Sequence, residues 1–303
     1  MQTSYTISST EFAAQWGIAT PVLYETAIEL FFYMIFFAMF ALTMYLYHHN
    51  QVAGVKLLWF FTSAMFALGT LHVTLKLVIA VYALRMVRLA VEGSSMLQKT
   101  TLIRDRVVFV NYMLLSTNNA LTDSLLIFRC YVVWGRNMHI TFLPIVMLAT
   151  TTVLGYVATV QDNFSTHPTV DPKIPFVMSV ATNSTLTVLT AGRMWWIGRE
   201  AGRASTLPAM RSYNSAVVMI LESGALYSLT VILFVISYAS PSRSATILNN
   251  VLTGVLPQMV NLAPSLIAVR VGLSRAVEGW WLDDRSRSAN LTFTSVRMRS
   301  FAS

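Results

Sequence analysis

The feature that most constrains this chain is a succession of apolar runs, each long enough to cross a bilayer. The block Leu30–Leu42 reads LFFYMIFFAMFAL without a charge. A spanning helix needs about 20 mostly apolar residues. Seven segments meet that length, at 20–47, 55–84, 107–135, 139–160, 174–198, 213–240 and 244–273. They are too long for barrel strands and lack period-two alternation. In lipid a helix satisfies its backbone hydrogen bonds within one segment, so helices are the expected form. The expected fold is therefore all-α: a polytopic membrane protein built as a bundle of seven transmembrane helices over 1–273, with a basic Ser/Thr-rich cytoplasmic tail at 274–303.

Composition agrees. Only 11% of the 303 residues are charged, against about 25% in soluble domains. The net charge of +8 has no soluble basic patch with interleaved aromatics behind it, so nucleic acid is not an expected partner. Lipid topology and anionic headgroups explain the excess. Cys130 is the only cysteine, which excludes an intramolecular disulfide and CxxC metal frameworks. No basic stretch precedes the first apolar run, so helix one reads as an uncleaved signal anchor. No internal repeat is visible, which weakens an inverted-repeat transporter.

Orientation follows from Lys and Arg. With the N-terminus outside, the outer side holds Arg85, Arg88, Lys99, Arg104, Arg106, Lys173 and Arg243. The inner side holds Lys56, Arg136, Arg199, Arg203, Arg211, Arg275, Arg285, Arg287, Arg297 and Arg299, with Arg129, Arg193 and Arg270 near inner helix ends. The inner excess argues for an outside N-terminus and a cytoplasmic C-terminus. The segment Arg85–Arg106 runs against the trend and is expected to form structure over the outer surface. The sequon at Asn163 falls outside in this topology and is a candidate glycosylation site. The plasma membrane is the expected location.

Charges within spans need partners, water or a function. Glu25 and Glu29 lie one turn apart on helix one, as do His72 and Lys76 on helix two. A Glu29–Lys76 contact is expected, either as an ion pair tying two helices, as the floor of an outward-facing ligand pocket, or as snorkelling at the interface. With Asn250 on helix seven, these residues are the candidate ligand-binding set. Helix three is the most polar, with Ser116-Thr117-Asn118-Asn119 and Thr122-Asp123-Ser124. It is expected at the centre of the bundle, with Asn119 and Asp123 on one face as a helix tie, switch, ion site or protonation site. Arg129 and Glu222 are at matching depth on helices three and six, and read as a static bridge or one that breaks on activation. Asn261, one turn before Pro264, marks a hinge candidate in helix seven.

Catalytic signals are lacking. There is no phosphate loop, HExxH or GxSxG. His48-His49 lacks a third ligand, so no metal is expected. Helix seven has no lysine to form a retinal Schiff base. The chain is not expected to be an enzyme or to carry a cofactor.

The stretch Leu121–Trp134, with Asp123, then Arg129-Cys130-Tyr131 and Val133-Trp134 followed by Asn137, resembles a large set of seven-helix proteins of mushroom-forming fungi. So do Tyr213-Asn214-Ser215, Leu221–Ser228 and Ala263–Gly272. The resemblance spans helices one to seven and implies the fold, but no activity. Relatives often carry an acidic residue where Lys76 stands here. Resemblance to G-protein-coupled receptors is thinner, resting on Arg129-x-Tyr131 and Asn261-x-x-Pro264. Phe128 replaces the acidic neighbour of the arginine, and no outer disulfide can form. The expectation is a receptor-like protein sensing a small or apolar ligand and signalling to a cytoplasmic partner. The alternatives are a proton-coupled carrier using Asp123 and Glu222, and a structural membrane protein without a ligand.

Overall fold

The computed structural model describes residues 9–49, 55–92, 96–164, 171, 173–203, 207–240, 242–266 and 269. Among them are seven helices and no strand. They are α1 (Ser9–His49), α2 (Val55–Glu92), α3 (Met96–Val133), α4 (Met138–Phe164), α5 (Lys173–Arg203), α6 (Leu207–Ala239) and α7 (243–266). Side chains of the tail, of His48-His49 and of Asn163 lie outside the described residues; the Asn163 backbone closes the last turn of α4.

Among the described residues, five helices are long and apolar enough to cross a membrane: Phe12–Leu46, Trp59–Glu92, Met138–Gln161, Ile174–Glu200 and Leu221–Ala239. Only 17% of the apolar windows in α1 and α4 is buried inside the bundle. Phe31, Met34, Phe60, Phe142 and Ile236 point outward. Water does not tolerate so much contiguous apolar surface, whereas lipid tails do. The chain is an all-α polytopic membrane bundle.

Consecutive helices pack against each other from α1 to α6, and α3 also packs on α5. Side chains of α3 reach α6 and α7 as well. Helix α3, with its buried Asn111, Asn118, Thr122 and Asp123, is therefore central in the bundle. Apolar packing joins the rest: Ala19 with Ala83 and Val87 between α1 and α2, Ile127, Cys130 and Leu186 between α3 and α5, and Tyr227, Val231, Leu256 and Val260 between α6 and α7.

Threonines are numerous in the spans, and most need no distant partner. Thr43, Thr70, Thr117, Thr151, Thr152, Thr159, Thr182 and Thr253 each donate to the carbonyl four residues earlier. That bond hides a hydroxyl within its own helix. Helix ends use sequence signals too. After α3 the chain turns through Gly135 (φ 67°) and Arg136 (φ 65°), and the Arg136 N–H donates to the Tyr131 carbonyl at 2.9 Å. This left-handed reversal is a common helix stop. Asn137 then caps α4 by accepting from the His139 N–H, and Ser242 caps α7 by accepting from Ala245.

Apolar periodicity marks the spans but not the helix ends. α2 has 38 residues, about 57 Å at 1.5 Å per residue, against about 30 Å of hydrocarbon. The charged segment after Leu84 continues the helix to Glu92, with Arg88 bonded to Glu92 at 2.7 Å. α3 already starts at Met96. The expected outer structure is thus an extension of α2 and α3 themselves.

Candidate functional site: a cavity among α3 to α7

The charged residues of α1 and α2 form two contacts. Lys76 Nζ donates to Glu25 Oε2 at 2.6 Å, with both side chains largely buried. His72 Nδ1 lies 2.7 Å from Glu29 Oε1, deeper in the bundle. The expected Glu29–Lys76 contact is replaced by this register. In antiparallel helices, one turn forward along α1 matches one turn back along α2. Lys76 therefore meets the carboxylate nearer the N-terminus, and His72 meets the other. Gln258 of α7 completes the inner pair, with Nε2 donating to Glu29 Oε1 at 3.3 Å. These contacts tie α1, α2 and α7 together. Glu29 is 1% exposed, so this group reads as a tie inside the bundle rather than a pocket floor.

The space is elsewhere. A cavity of about 360 Å³ lies among α3, α4, α5, α6 and α7, with Glu25 of α1 at its edge. Its walls include Tyr112, Leu115, Phe176, Phe234, Leu256 and Val260. On α7 it runs from Asn249 to Val260, a depth of about 16 Å along the helix. The lining lies near the start of α5 and in the later halves of α4 and α6, and on α3 and α7 it crosses the middle of the helix. Such a volume suits a small organic molecule.

Polar groups gather at its inner end. Ser179 Oγ of α5 is 2.7 Å from the Tyr227 hydroxyl of α6. That hydroxyl donates to Asn119 Oδ1 at 3.2 Å. Asn119 Nδ2 donates to Ser179 Oγ at 3.3 Å and, at 3.4 Å, to Asp123 Oδ2. Asn119, Ser179 and Tyr227 line the cavity; Asp123 does not, and is 2% exposed beneath them. Asn119 is the link between the cavity and the buried carboxyl group. Asn119 and Asp123 share a face, as the four-residue spacing requires. Ser179 and Tyr227 carried no separate signal in the sequence, since a lone serine and a tyrosine in apolar runs look like packing residues.

Asn249, rather than Asn250, lines the cavity. Neighbours on a helix point about 100° apart, and α7 is turned so that Asn249 is the one facing the space. Asn249 Oδ1 is buried without a hydrogen-bond partner among the described residues. The remaining candidates are structural or peripheral to this space. Asn261 Oδ1 accepts from Asn118 Nδ2 at 2.9 Å, joining α3 to α7. Its own amide reaches back to the Pro257 carbonyl at 3.5 Å, not to the carbonyl that Pro264 leaves free. Arg129 is half buried and Glu222 is exposed. Among the described residues no group of three His, Cys, Asp or Glu side chains is placed to hold a metal.

Compared with known proteins, the chain matches no family model, no curated protein and no solved structure. The functional reading therefore rests on the geometry of the cavity and its polar floor.

Proposed function

We propose that this protein is a receptor-like, non-catalytic membrane sensor that takes a small, largely apolar ligand into the α3–α7 cavity and signals to the opposite face. The observation that carries this reading is the cavity itself. It has apolar and aromatic walls, hydrogen-bonding groups at one end, and no unpaired charge among its described lining residues. Glu25, the charged lining residue, is neutralised by Lys76. A neutral ligand with one hydroxyl or carbonyl group fits these walls better than an ion does. Its polar group would meet Asn119 and Tyr227 at the inner end of the cavity.

The same proposal puts the N-terminus outside, the C-terminus in the cytoplasm and the chain in the plasma membrane, as one of the seven-helix proteins of mushroom-forming fungi. Arg129 and Glu222 would form the inner switch, with the inner loops and tail meeting a signalling partner.

Cys130 supplies the assay. It is the only cysteine in the chain and fully buried, so a thiol-reactive fluorophore reports unfolding. A panel of neutral C6–C15 alcohols, ketones and lactones is screened for compounds that raise the unfolding temperature of the full chain in detergent. A ligand at 100 times its Kd stabilises by about 2.7 kcal/mol. Asn119→Leu should abolish the shift given by a hit. A panel without a hit, or a hit indifferent to Asn119→Leu and Tyr227→Phe, would overturn the reading. Protein-dependent flux of the hit across proteoliposomes would favour the carrier.

A further inference from the structure

At the other end of the bundle, where α3 and α5 finish, a second cleft of about 280 Å³ is lined by Trp134, Val188, Leu189, Gly192, Arg193 and Trp196. The Arg193 guanidinium lies 4.5 Å from the ring centre of Trp196 and 5.2 Å from that of Trp134. Trp134 is itself fixed, because its indole N–H donates to the Leu189 carbonyl at 3.2 Å. Arg193 is thus held between a ring on its own helix and one in the turn after α3, and its position is well defined.

Part of its hydrogen-bonding capacity is unmatched among the described residues. No carboxylate pairs with Arg193 among the described residues, and its Nε is buried without an acceptor. An arginine cannot shed its charge, and a cation this near the hydrocarbon needs an acceptor. Ring faces attract the cation but offer no lone pair in the guanidinium plane. A phosphate does, and guanidinium and phosphate match as a two-pronged pair.

The rest of the cleft is apolar. Val188, just over one turn toward the middle of α5, is 66% exposed. A Cβ at Gly192 would meet nothing within 4 Å, so there is room beside the backbone. The Arg199 guanidinium, stacked on Trp195 at 4.8 Å, adds positive charge farther along the same helix end. The geometry points to a binding site for one anionic phospholipid of the leaflet at this end, with its phosphate on Arg193 and an acyl chain along Val188 and Leu189.

The test is native mass spectrometry of the full chain, purified in detergent with equimolar phosphatidylserine and phosphatidylcholine. The wild-type chain should retain phosphatidylserine preferentially. Arg193→Gln should reduce that preference by about tenfold, a change equivalent to one decade in Kd. Arg193→Lys should fall between, since an ammonium keeps the charge but loses the planar fork. Gly192→Leu fills the slot without touching the charge and should lower retention of both lipids. It decides the matter if Arg193→Gln does not fold. Unchanged retention in folded Arg193→Gln or folded Gly192→Leu chains would overturn the assignment. So would displacement of the lipid by roughly 10 mM inorganic phosphate, which marks a free-anion site, far above the concentration a weak contact needs. A large gain in retention on deleting residues 274–303 would likewise overturn it, by making the tail the natural occupant.

Discussion

Replacing Gly254 by alanine tests the α1–α7 contact on which the cavity wall depends. A Cβ built at Gly254 lies 2.6 Å from the Glu25 carbonyl oxygen and 3.2 Å from both Glu25 Cα and Ile28 Cβ. These are mostly backbone neighbours, and a backbone cannot rotate away as a side chain does. Restoring an ordinary contact requires α1 to retreat by about 0.8 Å. The Gln258–Glu29 bond spans the same two helices at 3.3 Å, so that retreat takes it beyond hydrogen-bonding distance. Overpacking costs about 1–3 kcal/mol, and losing a bond to a charged group about 1.5–3 kcal/mol. Alanine returns about 1 kcal/mol of helix propensity. The net loss is about 1.5–5 kcal/mol, or a fall of roughly 3–10 °C in Tm at about 2 °C per kcal/mol for a chain of this size. Gly192→Ala is the matched control, since its Cβ meets nothing within 4 Å, and it should hold or raise Tm. Thermal exposure of Cys130 in detergent measures both. A Gly254→Ala chain as stable as the Gly192→Ala chain would refute the reasoning.

Three further outcomes are expected. Lys76→Met should destabilise by about 3–5 kcal/mol by stranding Glu25, the Glu25→Gln/Lys76→Met double variant should recover part of that, and Glu29→Gln should show the weaker coupling to Lys76 in the same thermal cycle. Asn261→Ala leaves the buried Asn118 amide without its acceptor and should cost about 1–3 kcal/mol, recovered in part by adding Asn118→Leu, again read by unfolding. Epitope tags at the two termini, probed on intact cells, should show the N-terminal tag accessible and the C-terminal tag hidden; the reverse pattern would invert the side from which the α3–α7 cavity is reached.

Much of the architecture was legible because lipid imposes blunt rules. Apolar length set the spans, and the polar face of α3 required a central position. The pairing of Glu25 with Lys76 was not legible. Four acid and base groups at helical spacing fit two registers one turn apart, and the packing of α1 on α2, including Ala19 on Ala83 and Val87 and Phe40 on Phe66, selects between them. The cavity escaped the sequence for a related reason. It is a space left between helices, and whether Asn249 or Asn250 lines it depends on a rotation of α7 fixed by Gly254, Gln258 and Asn261 together. The extensions of α2 and α3 were hidden because hydropathy ends at the membrane surface, whereas a helix of charged residues such as Arg88 and Glu92 continues past it.

The two ways in which this chain satisfies polar groups also set the order of its biogenesis. A threonine bonded to its own helix enters the bilayer already satisfied, so α4, with Thr151, Thr152 and Thr159 closed in this way, can insert alone. α3 cannot do the same. Its amides at Asn118 and Asn119 find their partners on α5, α6 and α7, which leave the ribosome later. Helices that insert first and associate afterwards must keep unmatched groups waiting. During synthesis α3 is therefore the span most exposed to quality control, and a chain stopped after α4 leaves these amides without Ser179, Tyr227 and Asn261. Stable insertion of the third helix is therefore expected to depend on the later helices that carry Ser179, Tyr227 and Asn261.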